Sequence, residues 1–290
     1  MTHFHCYFQQ SSNKKVMDTL LKQVEDALKE HNQEYQLELL ADSAAAYYSA
    51  KKLARTLPDQ ANAQKDVALF IGSAAFLNRG LNGLLSHERQ FAIPFAPVLK
   101  NTTNLHATDE LLEAIGNILG RQEAQMAWIG KIKGDIPQEG AAYFYQDLAF
   151  GSDIRPFHTV QPKIKHPHLS RLQQAFLALF HQDREDSFPV TVHWNKQYRS
   201  FPKVAGIRAE NNPKQNGIEI RLLESLGSYK LFLSILHLHP REDLGYQDFT
   251  IQKGCHLHIG DIVPAEIDAY KLGRGAYSFH IEQEEYPLWQ

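Results

Sequence analysis

The chain has 290 residues, 43% hydrophobic and 22% charged, with a formal net charge of −3. That length suits one large or two ordinary globular domains. The slight acidic balance argues against nucleic-acid partners, and no apolar run approaches the ~18 residues of a membrane-spanning helix. Two cysteines, Cys6 and Cys255, make no disulfide framework, and residues 1–10 carry no signal-peptide pattern, so a reducing cytoplasm is the expected setting.

In chain order, Phe4–Phe8 reads as a short aromatic strand. Lys14–Glu30 has helical spacing through Val16, Leu20, Leu21, Val24 and Leu28. Tyr35–Leu40 is a second strand, and Ala44–Leu57 is a helix that stops before Pro58. Val67–Ile71 is a third strand, Leu77–Ser86 a helix, Phe91–Pro94 a fourth strand and Thr108–Leu119 a helix. Alternating strands and helices predict a parallel sheet with crossover helices.

After about residue 122 the pattern changes. Ala124–Ile132 and Ala141–Phe150 read as strands, and His168–His181 as a helix. Short strands then follow at Phe188–Trp194, Lys203–Arg208, Gly217–Leu223, Tyr229–Leu238, Phe249–Ile251, His256–Ile259, Ala265–Ala269 and Ala276–Ile281. That density predicts a β-sandwich. The expected organisation is a three-layer α/β domain of nucleotide-binding type over residues 1–123, then a β-sandwich over residues 124–290.

The most informative stretch is Asp66–Leu85, DVALFIGSAAFLNRGLNGLL. It reads as a strand, a glycine turn and a helix start, the arrangement that cradles phosphate on backbone N–H groups. The turn residues Ser73, Ala74, Ala75 and Phe76 include no carboxylate.

Gly72-Ser73-Ala74-Ala75-Phe76-Leu77-Asn78-Arg79-Gly80-Leu81-Asn82-Gly83-Leu84 is similar to the G-G-D-G-T-L-N-E-V-x-N-G-L signature of the diacylglycerol kinase catalytic-domain family. Ala50-Lys51-Lys52-Leu53-Ala54 resembles its A-x-x-L-A helix, and Leu111–Ile115 a later one. Tyr143–Gly151 resembles its entry into the second domain, and Asp268-Ala269-Tyr270 its late D-G-E. The resemblance runs through almost the whole chain in order. It implies ATP and Mg²⁺ as cofactors, phosphoryl transfer to a lipid hydroxyl, and nucleotide contacts from Ser12, Gly72, Ser73, Ala74, Asn78 and Thr102. Glu224 is the nearest counterpart of the family's general base, about two residues out of register.

The departures from the pattern bear on chemistry. Ala74 stands for an aspartate, Phe76 for a threonine and Arg79 for a glutamate, and the glycine-threonine pair after Pro94 is gone. Magnesium is held by carboxylates and substrate phosphates, and phosphoryl transfer rests on positioning and charge stabilisation. Weak or absent kinase activity is therefore expected. The alternative is a non-catalytic protein that binds a lipid or small metabolite in the interdomain cleft. At most peripheral membrane contact is expected, and a homodimer fits either reading.

His256 and His258 alternate on one strand and His237 and His239 on another, so each pair shares a face. Four such imidazoles suit a transition metal, although surface histidines on sandwich strands are the plainer reading and no metal site is expected. His3 and His5 read as structural or exposed. Gly273-Arg274-Gly275 reads as a basic hairpin turn, and neither cysteine has a base that would make it a nucleophile.

Overall fold

The computed structural model describes residues 2–10, 14–59, 66–99, 107–121, 123–134, 142–151, 187–214, 216–224, 246–251 and 254–289. Four parallel strands open the chain: β1 (His3–Gln9), β2 (Glu34–Leu40), β3 (Asp66–Gly72) and β4 (Phe95–Leu99). They lie in the order β4-β3-β1-β2. Helices α1 (Lys14–Glu30) and α4 (Ala107–Leu119) cover one face; α2 (Ser43–Thr56) and α3 (Ala74–Leu84) cover the other.

Strand alternation sorts the side chains between these layers. Phe4, Cys6 and Phe8 of β1 pack with Leu20, Val24 and Leu28 of α1 and with Ile115 of α4. Tyr7 points the other way and stacks on Phe70, with centroids 4.6 Å apart. Burial on both faces is why Val67–Ile71 is apolar without a break.

The antiparallel half comprises β5 (Gln125–Gly134), β6 (Tyr143–Phe144), β7 (Asp147–Gly151), β8 (Phe188–Trp194), β9 (Gln197–Asn211), β10 (Ile218–Glu224), β11 (Tyr246–Ile251), β12 (Cys255–Ile267) and β13 (Tyr270–Leu288). Its core gathers Phe144, Phe150, Phe188, Leu257 and Phe279. Strand β13 joins the two halves. It pairs with β12 through its first part, with β5 through its second, and meets β4 in parallel at Leu288 and Phe95. Tyr286 and Leu288 enter the core under α2 and α3, and Trp289 enters the core under α1 and α4. The Trp289 indole N–H donates to the Ile118 carbonyl at 2.8 Å.

Several elements differ from expectation for identifiable reasons. Helix α3 starts at Ala74 because the Ser73 hydroxyl accepts from the Phe76 N–H and caps it. Strand β4 begins at Phe95, after a segment in which Asp59 accepts from the N–H groups of Gln90 and Phe91. The expected Ala141–Phe150 strand is split into β6 and β7. Gly273-Arg274-Gly275 lies inside β13; the chain reverses at Asp268 and Ala269, with φ of 47° and 62°, the left-handed pair of a tight hairpin turn. The expected His168–His181 helix and Tyr229–Leu238 strand, with His237 and His239, fall outside the described residues. Among the described residues no helix is long and apolar enough to cross a membrane.

Candidate functional site

In an open parallel sheet the ligand crevice lies beyond the carboxyl ends of the strands, where the winding reverses. Here that point falls between β1 and β3, at Gln9 and the Gly72 turn. The Gln9 side chain occupies it: its Oε1 accepts from the Ser73 N–H at 2.8 Å. A second donor of the turn, the Phe76 N–H, is held by the Ser73 hydroxyl at 3.3 Å. Two backbone donors of this helix start are thus satisfied from within the chain. A methyl group on Gly72 would lie 2.6 Å from Phe76 Cδ1 and 2.9 Å from Gln9 Cβ. The glycine therefore makes room for the chain's own side chains.

One helical turn on, Asn78 and Asn82 share the face of α3 turned toward the antiparallel half. The Asn78 amide donates to the Tyr143 carbonyl at 2.9 Å and to Asp268 Oδ2 at 2.8 Å. Asn82 exchanges two bonds with the Tyr143 backbone, donating to its carbonyl and accepting from its N–H, each 2.9 Å. Asp268 collects three more donors, the N–H groups of Tyr145 at 2.7 Å, Gln146 at 2.7 Å and Asp147 at 2.8 Å. Burial pushes the Asp268 carboxyl up to about 6, while the backbone donors and Asn78 pull it down. This buried knot ties α3, β6, β7 and the β12–β13 turn together.

Arg79 follows Asn78 and is also buried. Its guanidinium carbon lies 4.3 Å from the Tyr47 ring centroid and 4.9 Å from that of Tyr270, a cation held between two aromatic faces. Where the resemblance leads one to expect an acidic side chain, a cation is built into the packing. From Gly72 to Leu84 the sequence has no carboxylate, so this segment offers Mg²⁺ none of the ligands it prefers.

Of the residues singled out from sequence, Gly72, Ser73, Ala74 and Asn78 come together at the start of α3. Ser12 and Thr102 fall outside the described residues. Glu224 ends β10, where its backbone pairs with Val204 across a register shift. His256 and His258 both lie on the exposed face of β12, as alternation requires, with His193 and His280 flanking His256 on the adjoining strands. Sequence reasoning missed the tyrosine pair around Arg79. It also missed the structural weight of Asp268, whose partners lie more than a hundred positions away.

No protein-family model matches the chain, and no curated protein matches it in sequence. Solved structures do match in fold. Two structures from Bacillus anthracis str. Sterne, each provisionally described as a diacylglycerol kinase, superpose with a TM-score of 0.68, at 12% and 13% identity. A structure described as a diacylglycerol kinase from the same organism gives a TM-score of 0.65 at 12% identity. Each match covers 99% of this chain and 96% of the other. The chain therefore has the fold of these proteins along nearly its full length.

Proposed function

We propose that this chain is a lipid-kinase-like protein of the diacylglycerol kinase type in which ATP-dependent phosphoryl transfer to a lipid hydroxyl is weak or lost. The observation that carries this reading is the filled phosphate turn, where Gln9 accepts from Ser73 and Phe76 packs against Gly72. Gly72, Ser73 and Ala74 would lie nearest the phosphates of any bound nucleotide, with Ser12 and Thr102 as further nucleotide contacts and Glu224 as the base candidate. The amide of Asn78 is already committed to Asp268 and Tyr143. Mg²⁺ does not fit the segment after β3, which lacks carboxylates, and no step is assigned to it.

The same filled turn, set beside an intact Asn78–Asn82–Asp268 knot, favours a second reading: a protein that keeps the scaffold to bind a lipid or small metabolite without catalysis. Radiolabelled ATP with diacylglycerol in mixed micelles tests the first reading. Turnover is expected at least ~100-fold below that of a working kinase, the scale of losing general-base assistance alone; robust turnover would overturn it. Thermal shift separates the two readings. Stabilisation by ATP with Mg²⁺ favours residual enzyme activity, whereas stabilisation by lipid without a nucleotide effect favours the binding protein.

A further inference from the structure

Strand β1 opens His3-Phe4-His5, and its parallel neighbour β3 opens at Asp66. Residues two apart on a strand share a face. Phe4 lies in the core under α1 and α4, so both imidazoles belong to the opposite face, that of α2 and α3. The register sets Asp66 beside His3 and the small Ala68 beside His5. The two rings stack with centroids 4.4 Å apart. Asp66 Oδ1 lies 3.0 Å from His5 Nε2 and 3.6 Å from His3 Nδ1. One donor atom from each side chain lies within 4.8 Å of the other two.

These distances suit a metal. Bonds of about 2.0–2.2 Å from nitrogen and oxygen place the donors about 3.3–3.6 Å apart around a tetrahedral ion, so modest side-chain rotation closes the triad. Among the described residues this is the group of histidine, cysteine and acidic side chains whose donor atoms converge. A plain His–Asp hydrogen bond would need only His5. Here a second imidazole is brought to the same carboxylate oxygen. Gln36 stands opposite His5 on β2. His5, Tyr7, Gln36 and Glu38 line a cavity of about 370 Å³. His3 is 30% exposed, which gives an ion a route in.

We propose that His3, His5 and Asp66 bind one divalent transition-metal ion at the amino ends of β1 and β3, with a remaining coordination position for water or a small ligand from the adjoining cavity. Two imidazoles and one carboxylate select ions of the zinc, cobalt and nickel class over magnesium or calcium. The site lies at the end of the strands opposite the Gly72 turn. It stands or falls independently of the lipid-kinase reading.

The test uses the full chain without a histidine tag, stripped with chelator. Equilibrium dialysis against Zn²⁺ and titration with Co²⁺, followed by its visible absorption, should each give one ion per chain. His3→Gln leaves the buried core untouched, and Asp66→Asn keeps a side chain of the same shape. Each should weaken binding by more than the roughly 10–100-fold that loss of an outer partner costs. The double variant His256→Ala with His258→Ala, on the exposed face of β12, should bind as the unaltered chain does. Absence of binding to the unaltered chain would overturn the proposal. So would a stoichiometric ion that survives His3→Gln and Asp66→Asn but is lost from the β12 variant.

Discussion

Asp268 sits fully buried in a turn with positive φ and accepts from four N–H groups. Asp268→Ala leaves those donors without an acceptor, and a loss of about 3–5 kcal/mol in urea unfolding at pH 7 is expected. The carboxyl also gives stability a pH slope. Its folded pKa is pushed up to about 6 from 3.8, so between those values the folded chain holds protons that the unfolded chain has released. Its contribution is full below pH 3.8 and declines as pH rises through 6. Unfolding from pH 4 to 7 should show this component in the unaltered chain and not in Asp268→Ala. The knot also explains what sequence could tell about the candidate site. The Asn78 and Asn82 spacing was legible as a motif. Its use was not, because the acceptor on Asp268 lies 190 positions away. Gln9 was illegible for the same reason: its bond to Ser73 spans 64 positions.

At the level of elements, α2 and α3 cross at Gly83. A methyl group there would lie 2.4 Å from the Tyr47 carbonyl oxygen and 2.6 Å from Ala50 Cβ. Alanine is the better helix former by about 1 kcal/mol, but the clash is with backbone, which cannot rotate away. Gly83→Ala should therefore destabilise by about 1–3 kcal/mol, read as a lowered urea midpoint. Elements set by local pattern were readable. Leu20, Val24 and Leu28 of α1 are buried as their spacing predicts, and β3 spans the apolar run. Elements set by distant partners were not. Nothing local splits Tyr143–Gly151; the break comes where the N–H groups of Tyr145 and Gln146 turn to Asp268. The glycines of Gly273-Arg274-Gly275 suggest a turn, yet the reversal uses Asp268 and Ala269, neither of them glycine.

For the whole molecule, β13 makes a cut near residue 123 costly. Trp289 lies edge-on to Phe4, and the Tyr286 hydroxyl donates to the Ile93 carbonyl at 2.7 Å. Trp289→Ala should lose about 3–5 kcal/mol. A fragment of residues 1–123 should give no cooperative urea transition, whereas tryptophan fluorescence and far-UV circular dichroism of the full chain should report one coincident transition. Independent, cooperative folding of the fragment would contradict this. The shared strand also bears on biosynthesis. Tyr286 meets a partner 193 positions earlier in the chain and Trp289 one 171 positions earlier. A ribosome adds about 5–20 residues per second. The four parallel strands thus emerge many seconds before the segment that closes both of their cores. Through that interval nascent chains hold apolar faces and the β4 edge in waiting, and an arrest anywhere before Tyr286 to Trp289 are made strands them there.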